Sequence, residues 1–409
     1  MLPLDPLADV IDRAPDGARL KAAMAGPFRR AIRVHPRRGA PQGWGALAPV
    51  AWSARGFFHA DDIDPGTRLD YHTGSAYPQD AASQLPVALL DPKPGETIVD
   101  ACAAPGSKST QIGLALGDDG LVVCCDAAPA RRRVLAENLG RQGVTSGLVT
   151  PMPLERLAEA HPGCADGVLV DAPCSGHEAR SARQVARMAQ VQVAIVRLAA
   201  RLVRPGGRLV YSTCTPYPNE DEQVVRAFLA AAPGWRSEAV GATGCDADLD
   251  DLGALRLWPH RQGTEPFFAC LLRAPGDGFA ASLEGRLPSR DPLLDRRLPG
   301  SALASWRRGD LTFAGTRQVA ACALPSEARG LILARAERLD PWGAQALIER
   351  GAAAHAVAHD VACALWGGAA GLVDVRDGAF IATIAGAPLG VARDGGLDLP
   401  SRMRRAGLR

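Results

Sequence analysis

ETIVDACAAPGSKSTQIGLALGDDGLVVCCD, residues 96–126, contains two short apolar runs separated by a longer segment with a helical pattern. The runs are ETIVDAC (96–102) and GLVVCCD (120–126), and each is continuously apolar rather than alternating with polar residues. Such runs are typical of strands that are buried on both faces of a parallel sheet. The stretch therefore predicts a strand, a helix and a second strand parallel to the first.

The same alternation continues along the chain. Three more apolar runs predict strands: SGLVT (146–150), ADGVLVDAP (165–173) and GRLVYSTCT (207–215). Residues 181–203 carry apolar side chains at helical spacing and predict a helix that RPGG then ends. Two later runs, ALRLWPH (254–260) and PFFACLL (266–272), predict a closing hairpin. The sequence predicts an α/β fold with a doubly wound parallel sheet.

The length of 409 residues exceeds what one compact core usually holds, so several domains are expected. Residues 76–273 contain the alternating strands and helices and form the central domain, after an N-terminal module at 1–75. Residues 274–299 are rich in Pro, Gly, Arg and Asp without periodicity, which predicts a linker. Residues 300–409 end in short runs broken by Asp-Gly and Gly turns, which predict a β-rich domain.

Charge alone does not indicate a partner, because 46 Lys and Arg nearly balance 44 Asp and Glu. Any preference for nucleic acid must come from local patches. FRRAIRVHPRR (28–38) has five arginines and no acid, and the chain end is again rich in arginine. Each patch is either a solvated surface or a contact to phosphates.

Ten cysteines occur without a C-x-x-C pair, so the sequence predicts neither a zinc ribbon nor a thioredoxin motif, and no metal. It also indicates a reducing compartment. No apolar run reaches the roughly 18 residues of a membrane helix, and the first residues lack the basic start of a signal peptide. We expect a cytoplasmic protein that does not bind membranes.

In a doubly wound sheet, ligands bind at the carboxyl ends of the strands. The first predicted strand leads into DACAAPGSKST (100–110), whose small residues let backbone amides approach a ligand. G-x-G-x-x-G is absent, and Lys108 lacks the upstream glycine of a phosphate-binding loop, which disfavours a dinucleotide or nucleoside triphosphate. The second strand ends in Asp126, which can bind ribose hydroxyls, cap the helix predicted at 128–139, or do both.

The fourth and fifth strands end in DAPCSG and STCT, which carry Asp171, Cys174 and Cys214. If the strands are neighbours, all three side chains face one crevice. Each of the two thiols follows its strand into a polar turn, where a helix N-terminus could lower the thiol pKa and produce a nucleophile. Other cysteines are predicted to be small buried hydrophobes: Cys102, Cys124, Cys125, Cys270, Cys322 and Cys363.

DACAAPGSKSTQI (100–112), DAPCSG (171–176) and RPGGRLVYSTCTPYPNEDEQVV (204–225) resemble the RNA (cytosine-5) methyltransferases of the Nop2/Sun group, which use S-adenosylmethionine. IRVHPRR (32–38), YPQDAASQLPVALL (77–90) and LWPHRQGTEPFFACLLR (257–273) extend the resemblance to the branch that methylates ribosomal RNA. The chain end resembles that branch's PUA-like tail. The resemblance implies a class I, Rossmann-like methyltransferase domain at 76–273, a small N-terminal RNA-binding module and a C-terminal PUA-like, β-rich RNA-binding domain.

The resemblance also assigns site residues. It makes Cys214 the nucleophile that adds to C6 of cytosine, Cys174 the group that assists product release, and Asp171 a hydrogen-bond partner of the ring edge near N3. Such an addition is required because C5 of cytosine is a poor nucleophile. The cofactor would lie on Asp126 at its ribose, on Asp171 near its methionyl end, and on the loop Cys102, Ala103, Ala104, Pro105, Gly106, Ser107 and Lys108.

The target cytosine must be unstacked or single-stranded to reach such a site. We expect 16S ribosomal RNA or the small subunit as the partner of a monomer, with 28–38 and the tail as RNA clamps. Two alternatives stay open: a transfer RNA methyltransferase, and an assembly factor with weak or no catalysis. The first stays open because its chemistry is the same. The second stays open because an acid expected after the third strand is replaced by VTPMPLER (149–156), where Glu155 is nearest, and the loop after DAPCSG is HEARSARQ (177–184).

Overall fold

The structure is a computed structural model that describes residues 6–14, 16–38, 41, 44–60, 62–239, 248–249, 251–289, 291, 301–335 and 338–339, and beyond these the strand backbones within 356–398. Cys363 and the terminal arginines lie outside the described residues. Among the described helices, none combines the length and the apolar character that crossing a membrane requires.

The N-terminal residues form two short helices and a small antiparallel sheet. The elements are α1 (Pro6–Arg13), α2 (Gly17–Met24), β1 (Ala31–Val34), β2 (Ala48–Pro49), β3 (Gly56–Phe58), α3 (Leu69–Thr73) and β4 (Ala76–Pro78). The strand order is β2-β3-β1-β4, so β1 is paired on both sides. Because β4 belongs to this sheet, the sheet continues past the predicted boundary at residue 75; the domain boundaries stay a prediction.

The central sheet begins after α4 (Leu85–Leu90). Its five parallel strands are β5 (Thr97–Asp100), β6 (Leu121–Cys125), β7 (Gly147–Thr150), β8 (Ala165–Asp171) and β9 (Val203–Thr213). The helices between them are α5 (Ser107–Leu116), α6 (Pro129–Arg141), α7 (Leu154–Ala160) and α8 (Ala182–Leu202). They lie in the order β9-β8-β5-β6-β7, which confirms the predicted Rossmann-like α/β fold.

Antiparallel strands complete this sheet on the β9 side. They follow α9 (Glu222–Ala231) and are β10 (Arg236–Glu238), β11 (Asp248–Leu249), β12 (Leu255–Leu257) and, after α10 (Pro259–Gln262), β13 (Phe267–Arg273). Strand β13 pairs with β9, β10 and β12, so the predicted closing hairpin is confirmed.

The strands are buried because helices cover both faces of the sheet. Val99 and Val123 pack with the side of α8 and α9, whereas their neighbours Ile98 and Val122 pack with α4, α5 and α6. Successive side chains of a strand point to opposite faces, so both members of each pair must be apolar. This explains why the runs read from the sequence were continuous rather than alternating.

Residues 301–339 form β14 (Ala304–Arg308), β15 (Leu311–Gly315), α11 (Arg317–Ala321), β16 (Ala328–Arg329), β17 (Leu331–Arg335) and β18 (Arg338–Leu339). Strand β16 pairs with β7 and so extends the central sheet at its far edge. The predicted linker also makes contacts, since the Ala281 amide donates to the Pro162 carbonyl at 3.0 Å.

The last strands form an antiparallel sheet: β19 (Ala356–Val357), β20 (Ala370–Val375), β21 (Ala379–Ile384), β22 (Ala387–Arg393) and β23 (Gly396–Asp398). Its assignment to a PUA-like domain stays a prediction.

Candidate active site

The two thiols singled out in the sequence meet at the carboxyl ends of β8 and β9. These strands are parallel neighbours in which Asp171 lies opposite Ser212. The turns that follow them bring Cys174 Sγ to 3.3 Å from Cys214 Sγ. Both cysteines are half-buried free thiols. The crevice expected from the sequence therefore exists, and it holds both sulfur atoms in direct contact.

The contact makes the two thiols unlike. The hydrogen bond from Cys214 lowers the pKa of Cys174, although burial opposes the shift. The same hydrogen bond, together with burial, raises the pKa of Cys214. The expected cause, a helix N-terminus, is wrong, because α8 and α9 begin only at Ala182 and Glu222. Either sulfur can donate to the other across this contact, and the opposite pKa shifts make Cys174 the better acceptor.

An ion pair lies next to the thiols. Lys108 Nζ donates to Asp171 Oδ2 at 2.7 Å and to Ser83 Oγ at 2.8 Å, and Ser212 Oγ donates to Asp171 Oδ1 at 2.8 Å. Burial would lower the pKa of Lys108, but the Asp171 carboxylate outweighs it and the pKa is raised. The Lys108 side chain is 9% exposed and that of Asp171 is 30% exposed. The charged lysine is thus enclosed, whereas the carboxylate opens to the crevice.

Glu220 is a buried residue of the site to which the sequence analysis gave no role. Its carboxylate accepts hydrogen bonds from the Ser175 amide at 3.0 Å and from Ser175 Oγ. It also accepts one from Gln192 Nε2 at 2.7 Å. The signal available in the sequence was the run of acids in PNEDE (218–222), which begins three residues after STCT ends.

The next two acids of that run pair with one arginine from β12. Arg256 contacts Asp221 Oδ2 at 2.8 Å and Glu222 Oε1 at 2.6 Å, and Thr213 donates to Asp221 as well. All three charged side chains are nearly buried. This cluster joins the turn that carries Cys214 to β12 and to the start of α9.

The cofactor loop, residues 102–108, connects β5 with α5. Asp100 at the end of β5 supports it, accepting from Ser109 Oγ at 2.7 Å and from the Cys102 amide at 3.4 Å. Burial raises the pKa of Asp100 to about 6. Gly106 has φ of +110°, and a Cβ there would lie 2.9 Å from Leu135 Cδ1, so the loop requires glycine. The sequence analysis quoted Asp100 within a motif but did not name it as a site residue.

Asp126 joins this loop to the start of α6. Its carboxylate accepts from the Ala104 amide at 3.3 Å and from the Ala128 amide at 3.0 Å, and it lies 3.4 Å from Arg131 Nη1. The side chain is 5% exposed. The expected N-cap role of Asp126 is wrong, because Ala128 is the N-cap of α6 and no side chain caps this helix; Asp126 lies two residues earlier and accepts from the Ala128 amide. The expected contact with a ribose stays a prediction.

Two segments depart from the family pattern, the one that follows β7 and the loop after DAPCSG. Glu155 is exposed on α7, while Met152, nearer the end of β7, is half-buried. In the loop after DAPCSG, the His177 carbonyl accepts from Tyr217 Oη at 3.1 Å and the Ala179 amide donates to the same oxygen at 3.3 Å. This loop is therefore anchored to the turn that carries Cys214.

The expected N-terminal RNA clamp at 28–38 is wrong for two of its five arginines. Arg33 is buried and donates to Gln79 Oε1 at 2.9 Å and to Thr110 Oγ1 at 2.7 Å, and burial lowers its pKa to about 10. Arg38 is buried and donates to the Arg141 carbonyl at 2.8 Å. Arg33 on β1 and Arg38 after it therefore attach the N-terminal residues to α5 and to the end of α6 instead of facing solvent.

The sequence also predicted several buried cysteines and no metal site. Four of the cysteines expected to be small hydrophobes are buried, Cys124, Cys125, Cys270 and Cys322, whereas Cys102 is half-buried. Within the described residues, no group of three or more His, Cys, Asp or Glu side chains is arranged to hold a metal ion.

The sequence profile described as 16S rRNA methyltransferase RsmB/F matches residues 87–273. The ribosomal RNA small subunit methyltransferase F of Erwinia tasmaniensis is 34% identical over 275 residues, which cover 60% of this chain and 57% of that protein. The tRNA (cytosine(49)-C(5))-methyltransferase of Pyrococcus abyssi is 31% identical over 298 residues, which cover 66% of this chain and 96% of that protein. The chain thus spans less than two thirds of the length of the curated ribosomal RNA relatives first matched, 57% and 62%.

Solved structures show the same fold. A methyltransferase homolog protein from Pyrococcus horikoshii superposes with a TM-score of 0.59 at 27% identity, over 65% of this chain and 94% of that one. NSun6 from Pyrococcus horikoshii with SFG superposes with a TM-score of 0.59 at 20% identity, over 67% of this chain and 99% of that one. At 20% identity, the similarity to NSun6 is evidence for the fold alone.

Proposed function

This chain belongs to the RsmB/F methyltransferase family, and from that premise we propose that it transfers a methyl group from S-adenosylmethionine to C5 of a cytosine in RNA. The observation that carries the proposal is the thiol pair, Cys174 and Cys214, 3.3 Å apart and beside the open carboxylate of Asp171. A carboxylate and two thiols in one crevice match a reaction that adds a nucleophile to a pyrimidine and later expels it.

The short distance between the sulfurs supports a proton shuttle. As Cys214 Sγ bonds to C6, its proton passes to Cys174, the better acceptor of the two. The addition makes C5 enamine-like, so that C5 can take the methyl group. After the C5 proton has left to water, the C6–sulfur bond breaks, and Cys174 returns its proton to the departing Cys214. The two sulfurs thus exchange one proton in each direction.

Asp171 is proposed to face the polar edge of the cytosine ring near N3. Negative charge spreads towards N3 and O2 when a thiolate adds to C6; a proton taken up at N3 from solvent neutralises it, and the N3–H donates to the Asp171 carboxylate until that proton returns to solvent on release. Lys108 and Ser212 hold the Asp171 carboxylate from behind, so its orientation is fixed before the base arrives. The contact between Asp171 and the ring edge is also why the target cytosine must leave the base stack.

The loop residues suit S-adenosylmethionine better than a phosphate cofactor. Three carboxylates lie at the strand ends, Asp100, Asp126 and Asp171, whereas Lys108 is occupied by Asp171. Acids favour hydroxyl groups and positive charge and repel phosphate. The bound cofactor would supply an electrophilic methyl group on a positively charged sulfur. Residues 102–108 would hold it with backbone amides, Asp126 would lie towards the ribose, and Asp171 would lie towards the methionyl end.

We propose 16S ribosomal RNA as the target, since the family profile carries that name and the Erwinia tasmaniensis relative is named a ribosomal RNA small subunit methyltransferase. A transfer RNA is the second candidate, because the Pyrococcus abyssi relative is matched over 96% of its length. Bisulfite sequencing of total RNA from cells with and without the gene tests both. A lost site in 16S ribosomal RNA is expected, and loss of a transfer RNA site alone would refute the ribosomal assignment.

An assembly factor without catalysis is the third reading, and the intact thiol pair argues against it. Binding of labelled S-adenosylmethionine tests this reading directly, because a protein that has kept only the fold is not expected to bind the cofactor. We expect binding by the purified full-length chain, and methyl transfer to RNA from cells that lack the gene. A chain that binds RNA but not the cofactor would be an assembly factor.

A further inference from the structure

Cys174 occupies a segment that no strand or helix holds in place. Strand β8 ends at Asp171 and α8 begins at Ala182, and residues 172–181 between them have no regular structure. The sulfur distance of 3.3 Å to Cys214 therefore depends on side-chain contacts rather than on a backbone ladder. Next to the thiol, those contacts come from Glu220 and from Gln192, which is itself bonded to Glu220.

Glu220 reaches this turn from the loop that follows Cys214. Its side chain is completely buried, and its carboxylate accepts from the amide and the hydroxyl of Ser175, the residue after Cys174. Gln192 Nε2 donates both to Glu220 Oε2 at 2.7 Å and to the carbonyl of Pro173, the residue before Cys174, at 2.9 Å. The residue after the thiol is thus bonded to the carboxylate directly, and the residue before it is linked to the same carboxylate through Gln192.

The backbone of Glu220 is fixed as well. Tyr211 Oη, from the buried part of β9, donates to the Glu220 carbonyl at 2.5 Å. The next two residues along the chain are held by Arg256. A hydrogen bond to a charged acceptor is stronger than one between neutral groups, so this arrangement restrains the turn more firmly than neutral contacts would. The loops of the two thiols are joined at a point that touches neither sulfur.

We propose that Glu220 is a positioning residue that holds the Cys174 turn so that its sulfur stays within proton-transfer distance of Cys214. The inference rests on the proposed function, in which Cys174 returns a proton to Cys214 as the methylated base is released. Glu220 acts through the Ser175 and Pro173 contacts and touches neither RNA nor cofactor. Its loss should therefore slow release of the product and leave the preceding addition and methyl transfer in place.

Two conservative variants separate reach from charge. Glu220→Gln keeps the length: its oxygen can accept from the Ser175 amide and Gln192, and its NH₂ can donate to the Ser175 hydroxyl, which serves as donor or acceptor. Glu220→Asp keeps the charge but is one methylene shorter, while the backbone at residue 220 stays fixed by Tyr211. A positioning role predicts that Gln preserves function and that Asp impairs it.

The assay uses the full-length chain, S-adenosylmethionine and total RNA from cells that lack the gene. Glu220→Asp should complete a first methyl transfer at a near-normal rate and then accumulate a protein–RNA adduct that survives denaturing gel electrophoresis. Its steady-state turnover should fall by about tenfold or more, the equivalent of losing one hydrogen bond to a charged group. Glu220→Gln should turn over within about twofold of the wild type without an adduct.

Cys174→Ser, run in parallel, distinguishes the two levels of the inference. If Cys174→Ser accumulates the adduct and Glu220→Asp turns over normally without it, the role of Glu220 is refuted and the proposed function stands. If Cys174→Ser is fully active without an adduct, both are refuted. An impaired Gln variant beside an Asp variant that turns over normally would show that charge matters rather than reach, which also refutes positioning.

Folding is checked by thermal unfolding of every variant. Should Glu220→Asp not fold, Gln192→Leu tests the same clamp from its other end, because it removes the link to Pro173 and one donor to Glu220. Adduct accumulation is again expected, and normal turnover without an adduct in that variant would overturn the proposal. Loss of stability alone does not trap an adduct, so the adduct reports positioning.

Discussion

At the scale of single residues, the site depends on the hydrogen bond between two thiols. Hydrogen bonding lowers the pKa of Cys174 and raises that of Cys214. A nucleophile with a raised pKa would be unreactive alone, but its proton has an acceptor 3.3 Å away. Two chemically identical side chains can therefore hold different roles because their neighbours differ.

The first prediction separates the two thiols. Cys214→Ser should abolish methyl transfer and any covalent adduct, since an unactivated hydroxyl is a far weaker nucleophile than a thiolate. Cys174→Ser should still form the adduct but stall at release, so an RNA-linked band should accumulate on denaturing gels when S-adenosylmethionine is present. Reversed results would exchange the two roles, and two fully active variants would make both thiols structural. The buried Cys270 provides the control, because Cys270→Ala should keep activity without an adduct.

The second prediction concerns Asp100, whose pKa burial raises from 3.8 to about 6. The folded protein therefore binds a proton there more readily than the unfolded chain, and the charge costs about 3 kcal/mol at pH 7. As the pH falls from 7 towards 5, this group alone contributes increasing stability. Asp100→Asn removes the titrating group, so the variant should lose that contribution to the pH dependence.

The measurement is urea unfolding of the wild type and of Asp100→Asn at pH 7.5 and pH 5.5. The variant should be more stable relative to the wild type at pH 7.5 than at pH 5.5, because only the wild type gains from protonation. The comparison cancels the other titrating groups, which both proteins share. An equal difference in unfolding free energy at the two pH values would show that Asp100 titrates as it does in the unfolded chain.

At the scale of elements, the cluster of Arg256, Asp221 and Glu222 holds the turn after β9 against β12 and α9. The third prediction is that Arg256→Met destabilises the chain by about 3–5 kcal/mol, because two buried carboxylates lose their cation. Arg226→Met is the matched control, since Arg226 pairs with Asp251 at 2.5 Å but both side chains are substantially exposed. That pair should contribute about 1 kcal/mol or less. Thermal unfolding of both variants checks this, and equal losses would contradict it.

The elements that the sequence predicted are those whose pattern follows from local burial. Five continuous apolar runs became five parallel strands because helices cover both faces of the sheet. The arginines of β1 were misjudged because basic residues look alike in sequence whether they face solvent or, as Arg33 does, a buried glutamine and threonine. Whether an arginine of β1 is buried depends on which elements pack against it. The local sequence pattern does not show that packing.

The site divides in the same way. The strand ends that carry Asp171, Cys174 and Cys214 could be predicted, because parallel strands end at one edge of a sheet. Which thiol is the better acceptor could not, because it depends on a contact between residues 40 positions apart. The Glu220 clamp likewise joins Ser175 across 45 positions. Such long-range hydrogen bonds arise from loop geometry, which spacing along the chain does not determine.

At the scale of the whole molecule, the chain beyond residue 300 is attached to the central sheet. Strand β16 pairs with β7, Thr316 Oγ1 donates to the Gly120 carbonyl at 2.6 Å, and Arg132 pairs with Glu327 at 2.8 Å. The residues beyond 300 that make these contacts lie within the range 316–331. A truncation at residue 300 would expose the edge of β7, so a test of the tail must cut further along the chain.

The last prediction is that residues 340–409 contribute RNA affinity and no chemistry. A chain that ends at residue 339 keeps β16 and its contacts, so it should bind S-adenosylmethionine as the full chain does. Arginine contacts to phosphates release counterions, so losing the arginines among residues 393–409 should weaken RNA binding and flatten the slope of log K against log salt. Filter binding at several salt concentrations measures both quantities. A chain ending at residue 299 is the contrast: it should lose stability as well, because β7 becomes an unprotected edge strand. If the chain ending at residue 339 binds RNA with unchanged affinity and slope, the tail is not an RNA-binding domain, and the phosphate contacts must lie on the central domain or the N-terminal module.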